Sequence, residues 1–256
     1  MYLKVLCDNN SIIDHYYLAE PALSFYIEDG KNKILFDLGY SDVFKKNSEK
    51  MGIDLNKIDT IVFSHGHNDH TGGLRYITDL HQDINLICHP QTDEKKYYCG
   101  LDISCPVSFS ELSDNFKIIK TKEAYKISDH ITFLGQIHRT VQKVYPLEND
   151  ELYDDSAIVY ENEKGIFIIT GCSHSGICNI INQAMILTGK KHILGIIGGF
   201  HMLNNEMLNK EVCNYLSKID IDECYPCHCT DLAAKIALSN VIKIKDVGVD
   251  FELHID

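Results

Sequence analysis

The sequence predicts a layered α/β fold in a single domain spanning residues 1–256, and three observations predict it. Short apolar runs such as Ile61-Val62-Phe63 and Ile193 to Ile197 are too brief for helices and read as buried strands. Three such runs in the second half each end in a histidine-bearing turn and lead into a helical pattern, the order expected of sheets with helices packed against them. Apolar residues make up 45% of the 256, enough for a substantial core. Length alone does not separate one large domain from two small ones, but there is no internal repeat and no boundary inside this scheme.

The elements follow in order. Residues 2 to 7 alternate loosely and read as a strand. Leu23 to Ile27 and Lys33 to Asp37 follow, joined by a hairpin turn at Asp29-Gly30. Ser41 suits the N-cap of a helix through Lys50, closed by Gly52, with Asp42 early and Lys45 and Lys46 later to match the helix dipole. Ile61 to Phe63 form the next strand, Gly73 to Leu80 a helix, and Asn85 to Cys88 a strand whose end places His89 as a packing residue. Periodicity then weakens. Strand-like runs recur at Phe116 to Ile119, Ala124 to Ile127 and Ile131 to Leu134, and the acidic stretch Tyr145 to Asp155 reads as a lid or a solvated loop. Ala157 to Tyr160 and Gly165 to Thr170 form a hairpin, followed by a helix from Gly176 to Leu187. The strand Ile193 to Ile197 leads to a helix from Asn205 to Leu216, and the strand Glu223 to Tyr225 to a helix from Asp231 to Leu238.

The densest chemistry lies between Asp59 and Gly73. His65, His67, Asp69 and His70 fall within six residues at the end of the Ile61-Val62-Phe63 strand. Neutral imidazoles and a carboxylate are good ligands for zinc, manganese or iron. Without a cation, each of their polar atoms would need its own hydrogen-bond partner at the end of a buried strand. The later strand ends carry Gly171-Cys172-Ser173-His174, Gly198-Gly199-Phe200-His201 and Cys227-His228-Cys229-Thr230. In α/β proteins ligands gather beyond strand ends, so these histidines and the first loop are expected to converge.

His65-Gly-His67-Asn-Asp69-His70 resembles the His-x-His-x-Asp-His signature of the metallo-β-lactamase superfamily. The resemblance implies a four-layer αββα sandwich of two mixed sheets flanked by helices. It extends over nearly the whole chain, through Leu23-Ser24-Phe25, Ile34 to Gly39 and the three later strand ends, to a subgroup labelled 7,8-dihydropterin-6-methyl-4-(β-D-ribofuranosyl)-aminobenzene-5′-phosphate synthase. It implies two divalent metal ions, zinc first, with manganese or iron accepted. One ion would take His65, His67 and His174, the other Asp69, His70 and His228. Asp69 and His201 are the expected catalytic residues, Asp69 for proton handling and His201 for contact with substrate or developing negative charge. Asp37 in Asp-x-Gly is expected to orient ligands from beneath. Where the superfamily usually supplies a bridging Asp, this chain has Cys172, and Asp154 or Asp155 is a substitute. Pro21-Ala22 and Asp231 also stand where subgroup members often show His-Gly and Gly.

Composition narrows the function. Lys+Arg number 24 against Asp+Glu 37, a net charge of -13 that opposes a nucleic-acid-coating surface. A bound metal pair would still make a local positive site, so a small anionic substrate fits. Met1 to Cys7 lacks the apolar core of a signal peptide and nothing later has the length of a membrane span, so the expected location is cytoplasmic, with no membrane partner. The ten cysteines then read as reduced thiols, Cys224, Cys227 and Cys229 among them as small buried residues. The expected activity is metal-dependent hydrolysis of a small phosphate-containing or ester substrate. The alternatives are a transferase joining a dihydropterin to ribofuranosyl-aminobenzene phosphate, and a redox or non-catalytic metal-binding protein.

Overall fold

Hydrophobic runs separated by tight turns build two mixed sheets, one in each of two compact units of the computed structural model, which describes residues 1–77, 80, 83–112, 116–144, 146–147 and 150–256. The first unit comprises Met1–Lys122, Pro146–Asp154 and Gly248–Asp256, and the second Glu123–Tyr145 and Asp155–Val247.

In the first unit β1 (Tyr2–Cys7), β2 (Ser24–Asp29) and β3 (Asn32–Phe36) run antiparallel, the last two joined through Gly30 at φ 60°. β4 (Thr60–Val62) and β5 (Ile84–Cys88) add in parallel. All three residues of β4 are buried, as expected of a strand covered on both faces. A short hairpin, β6 (Tyr97–Tyr98) and β7 (Leu101–Asp102), stands apart from this sheet, and β8 (Phe116–Lys120) closes one edge. The other edge is a strand the sequence reading missed, Glu252–His254, paired antiparallel with β1. Leu6, Leu35, Phe44, Ile61, Phe63 and Leu86 belong to one core cluster.

α1 (Val43–Lys50) begins one residue later than expected, with Asp42 at the cap position; the Ser41 hydroxyl donates to Glu20 Oε2 at 2.6 Å and accepts from Val43 N–H at 3.3 Å. Gly52 closes the turn at φ 74°. The helix expected from Gly73 to Leu80 is replaced by α2 (Asn68–Thr71) and a 3-10 turn, Gly72–Tyr76. Backbone packing is the reason: a Cβ on Gly72 would lie 2.2 Å from Tyr40 O, and one on Gly73 2.2 Å from Leu38 O, so this segment is held by its neighbours rather than by its helical pattern. Thr78 and Asp79 of that expectation lie outside the described residues, as do Tyr145, Glu148 and Asn149 of the acidic stretch.

The second unit is a six-stranded sheet. β9 (Tyr125–Lys126), β10 (Ile131–Phe133), β11 (Ala157–Glu161) and β12 (Ile166–Thr170) are antiparallel neighbours. β13 (Ile193–Gly198) and β14 (Cys224–Pro226) then add in parallel, as crossovers through α3 (Ile177–Thr188) and α4 (Glu206–Leu216) require. Ile166, Ile168, Ile180, Ile181, Ile196 and Val212 share its core. Local chemistry sets the helix ends. Gly189 takes the left-handed C-cap of α3, Asn205 accepts from Leu208 N–H at the start of α4, and Asp231 accepts from Ala234 N–H at the start of α5 (Leu232–Ser239). Asp231 also accepts from Asn204 N–H at 2.7 Å, which gives this departure from the subgroup pattern a structural role. No helix among the described residues is long and apolar enough to cross a membrane.

Candidate metal centre

In the first unit the ligand loop rests on one fully buried carboxylate. Asp37 accepts from Ser64 N–H at 2.8 Å, from the Ser64 hydroxyl at 2.7 Å and from His70 Nδ1 at 2.6 Å. Because the Ser64 proton goes to Asp37, its oxygen is the acceptor for His65 Nδ1, 2.9 Å away. Both rings thus carry a proton on Nδ1, which makes Nε2 the lone-pair nitrogen in each. Metal-binding histidines are oriented in this way by a carboxylate or hydroxyl behind them. The Asp37 backbone adopts φ 57°, a left-handed conformation that brings the carboxylate under the loop.

The rings of His65 and His67 lie 4.5 Å apart and those of His65 and His70 4.2 Å apart. His70 Nε2 is 3.6 Å from Asp69 Oδ2. The ligating atoms of His65 and His67 fall within 4.8 Å of one another, as do those of Asp69 and His70. All four residues expected here from the sequence are therefore brought together within this unit, and neutral imidazoles beside a carboxylate form a donor set suited to zinc, manganese or iron.

The spacing between the first two histidines is fixed by Gly66. A Cβ there would lie 2.0 Å from Thr92 O, and its N–H donates to Asp154 Oδ2 at 2.8 Å. Lys96 Nζ holds Asp154 Oδ1 at 3.0 Å and Asp150 Oδ2 at 3.1 Å. Burial would lower the Lys96 pKa, but the charges of Asp154 and Asp150 raise it above the ordinary lysine value. Asp150 lies 3.6 Å from His67 Nε2. Burial pushes its carboxyl up, and bonding to His67 and to Leu152 N–H together with the Lys96 charge overcome this and hold it at about 2. Asp154 is thus committed to Gly66 and Lys96 in the described structure. Asp155 accepts from Ser175 N–H at 2.8 Å in the second unit. Sequence reasoning missed Lys96, whose partner Asp154 is 58 positions away.

In the second unit three strand ends deliver the remaining candidates. Ser173, His201 and His228 each have positive φ, at 59°, 47° and 50°, so the chain bends sharply after β12, β13 and β14. The bends are held in place: the Ser173 hydroxyl donates to Gly199 O at 2.6 Å, Gly199 N–H to Gly171 O at 2.8 Å, and Phe200 N–H to Thr230 Oγ1 at 2.9 Å. The His174 and His201 rings lie 4.3 Å apart. Cys172 and His228 have ligating atoms within 4.8 Å of each other, and Cys172, His201 and Cys229 form a second such group.

The cysteines differ sharply. Burial pushes the Cys88, Cys178 and Cys224 thiols up to about 12. Burial also acts to raise Cys229, but hydrogen bonds to Cys172 and His201 and the charge of His228 outweigh it and hold this thiol well below the usual range. Cys224 and Cys227 are buried as expected, whereas Cys229 stands beside polar partners.

Comparison with known proteins places this geometry. The model of the metallo-β-lactamase superfamily matches residues 18–102. An uncharacterized protein of Methanocaldococcus jannaschii is 31% identical over 259 residues, covering 93% of this chain and 94% of its own. From the same organism, the 7,8-dihydropterin-6-methyl-4-(β-D-ribofuranosyl)-aminobenzene-5′-phosphate synthase is 27% identical over 249 residues, 86% of this chain and 84% of its own. A crystal structure described as a metal-dependent hydrolase of the β-lactamase superfamily is 27% identical and superposes with a TM-score of 0.86, covering 100% of this chain and 99% of the other. With its fold shared end to end and the ligand loop inside the matched region, the chain belongs to the metallo-β-lactamase superfamily.

Proposed function

We propose that this chain is a single metallo-β-lactamase-like domain over residues 1–256 and acts as a metal-dependent hydrolase of a small, anionic phosphate-containing or ester substrate. The observation that carries the reading is the Asp37–Ser64 brace, which sets His65 and His70 in the Nδ1-protonated tautomer, with Nε2 as the nitrogen for ligation. The donor set is His65, His67, Asp69, His70, His174 and His228, holding two divalent ions, with zinc first and manganese or iron as alternatives. Bound there, the metal supplies a lowered pKa for water and polarisation of an attacked phosphoryl or carbonyl oxygen. The chain's own residues do the rest. Asp37 keeps the Nδ1 protons in place, so the ligand nitrogens do not exchange tautomers during turnover. Asp154 and Lys96 hold Gly66 and thereby the separation of His65 from His67. Asp69, beside His70 and 30% exposed at its side chain, is the group to take and return a proton.

A second reading rests on the synthase-named relative: transfer of a dihydropterin group to an arylamine ribofuranosyl phosphate, with an aromatic partner attacking in place of water. Metal-loaded protein is offered a chromogenic phosphodiester and, separately, a pterin pyrophosphate with an arylamine. Hydrolysis abolished by His67→Ala, with the fold retained by circular dichroism, supports the first reading. Condensation without diester hydrolysis supports the second, and turnover unaffected by His67→Ala removes both.

A further inference from the structure

The turns after β12, β13 and β14 bring two thiols and an imidazole together inside the second unit. Cys172 Sγ, Cys229 Sγ and a ring nitrogen of His201 all lie within 4.8 Å of one another. Tetrahedral zinc, bonded to sulfur at about 2.3 Å and to nitrogen at about 2.0 Å, sets its donor atoms roughly 3.5–3.8 Å apart. Side-chain rotations of a few tenths of an ångström to an ångström therefore take these three atoms onto one ion. Cys172 is 4% exposed while His201 and Cys229 are half-buried, so the group has one buried donor and two that solvent reaches in part.

The backbone is shaped for this gathering. A Cβ on Gly199 would stand 2.4 Å from Cys229 Sγ, so only glycine leaves room for that sulfur. His201 holds a left-handed φ of 47° two residues later. Strained conformations that neighbouring contacts over-determine are concentrated at functional positions. Two thiolates and an imidazole form a softer donor set than the imidazole and carboxylate set proposed above, whose His228 also lies within 4.8 Å of Cys172, and they select zinc or another borderline cation over magnesium or calcium.

We propose that Cys172, His201 and Cys229 form a thiolate-rich site for a borderline divalent cation, zinc first, with a fourth position open to water or substrate. Three protein donors with one position open is the pattern of reactive zinc sites, whereas closed structural sites use four. Binding forms two metal–sulfur bonds, any thiol still protonated giving its proton to solvent, with no change of oxidation state. His201 then acts as a ligand, in place of the substrate contact expected from the Gly-Gly-Phe-His run.

The test titrates the full-length, reduced, chelator-treated protein with cobalt(II) and reads the sulfur-to-cobalt charge-transfer absorption. It is repeated on the His65→Ala/His67→Ala protein, so that failure of the proposed hydrolase site and failure of this one are told apart. The expected result is a charge-transfer band in both proteins, reduced about twofold by Cys229→Ser or Cys172→Ser as one of the two sulfur ligands is lost. The band is expected to vanish in the double serine variant and to be unchanged by Cys99→Ser, which removes an exposed thiol. Unmutated protein gives an independent reading: zinc slows alkylation of Cys229 at least about tenfold, because a bound thiolate is not available as a nucleophile. A band that persists undiminished in Cys229→Ser, or disappears with Cys99→Ser, overturns the proposal. So does an alkylation rate indifferent to zinc, or a metal-free loss of two thiols that reports a Cys172–Cys229 disulfide.

Discussion

Replacing Lys96 by methionine keeps the aliphatic stem and removes the charge that the buried Asp154 and the half-buried Asp150 share. The Lys96 and Asp154 side chains are 4% and 0% exposed, and the ammonium lies 3.0 Å from Asp154 and 3.1 Å from Asp150. Breaking a buried ion pair from one side leaves an uncompensated charge and costs about 3–5 kcal/mol. At about 2–4 °C per kcal/mol for a chain of this size, the melting temperature falls by roughly 6–20 °C. The damage also reaches the ligand loop, since Asp154 is what Gly66 N–H donates to. Loss of such a supporting contact weakens metal binding by about 10–100-fold. Urea unfolding of chelated protein and competitive zinc titration with a chromophoric chelator measure the two effects. Lys96→Met combined with Asp150→Asn and Asp154→Asn should recover most of the stability, because removing the whole charged group is far milder than removing one member. A Lys96→Met protein within about 1 kcal/mol of wild type, or one no worse than the triple variant, refutes the reasoning.

Other changes probe the same framework. Asp37→Ala strands three buried donors, Ser64 N–H, the Ser64 hydroxyl and His70 Nδ1–H, at about 1–3 kcal/mol each, and should be the most destabilising single substitution at the loop in thermal unfolding. Gly66→Ala drives a methyl to 2.0 Å from a backbone oxygen and should lower expression or the melting point while Gly30→Ala, with nothing within 4 Å, loses only what its positive φ demands. Above pH 9 stability should decline. Cys88, Cys178 and Cys224 stay protonated to about 12 in the folded chain but ionise near their ordinary value once unfolded. The native state then holds more protons, and unfolding becomes easier by up to about 1.4 kcal/mol per pH unit for each thiol. Cys224→Ala should flatten that alkaline limb in urea titrations at pH 8 to 11.

The sequence reveals a feature where its cause is local. The strand ends bearing His65, His174, His201 and His228 are readable because apolar runs, glycines and ligand residues sit side by side in the chain. Asp231 and Asn205 announce their helices because a cap acts on amides only three residues away. What stays hidden depends on distant partners. Ser41 sits beside the start of its helix, but Glu20, 21 positions earlier, accepts from both its N–H and its hydroxyl, which no local pattern reports. Gly72 and Gly73 are positioned by carbonyls of Tyr40 and Leu38, which no helical pattern reports. Lys96, Asp150 and Asp154 look like ordinary surface charges until the fold brings them together. The edge strand Glu252–His254 alternates exposed, intermediate and exposed residues, and so leaves almost no apolar trace.

The decisive measurement is the metal content of purified, dialysed protein, by elemental analysis, in wild type and in His65→Ala/His67→Ala folded to the same circular dichroism spectrum. Wild type should retain at least two zinc, manganese or iron ions per chain, and the double variant at least one fewer. Wild-type protein that retains no metal after incubation with excess zinc, or a double variant with undiminished content, contradicts the assignment of these imidazoles as ligands.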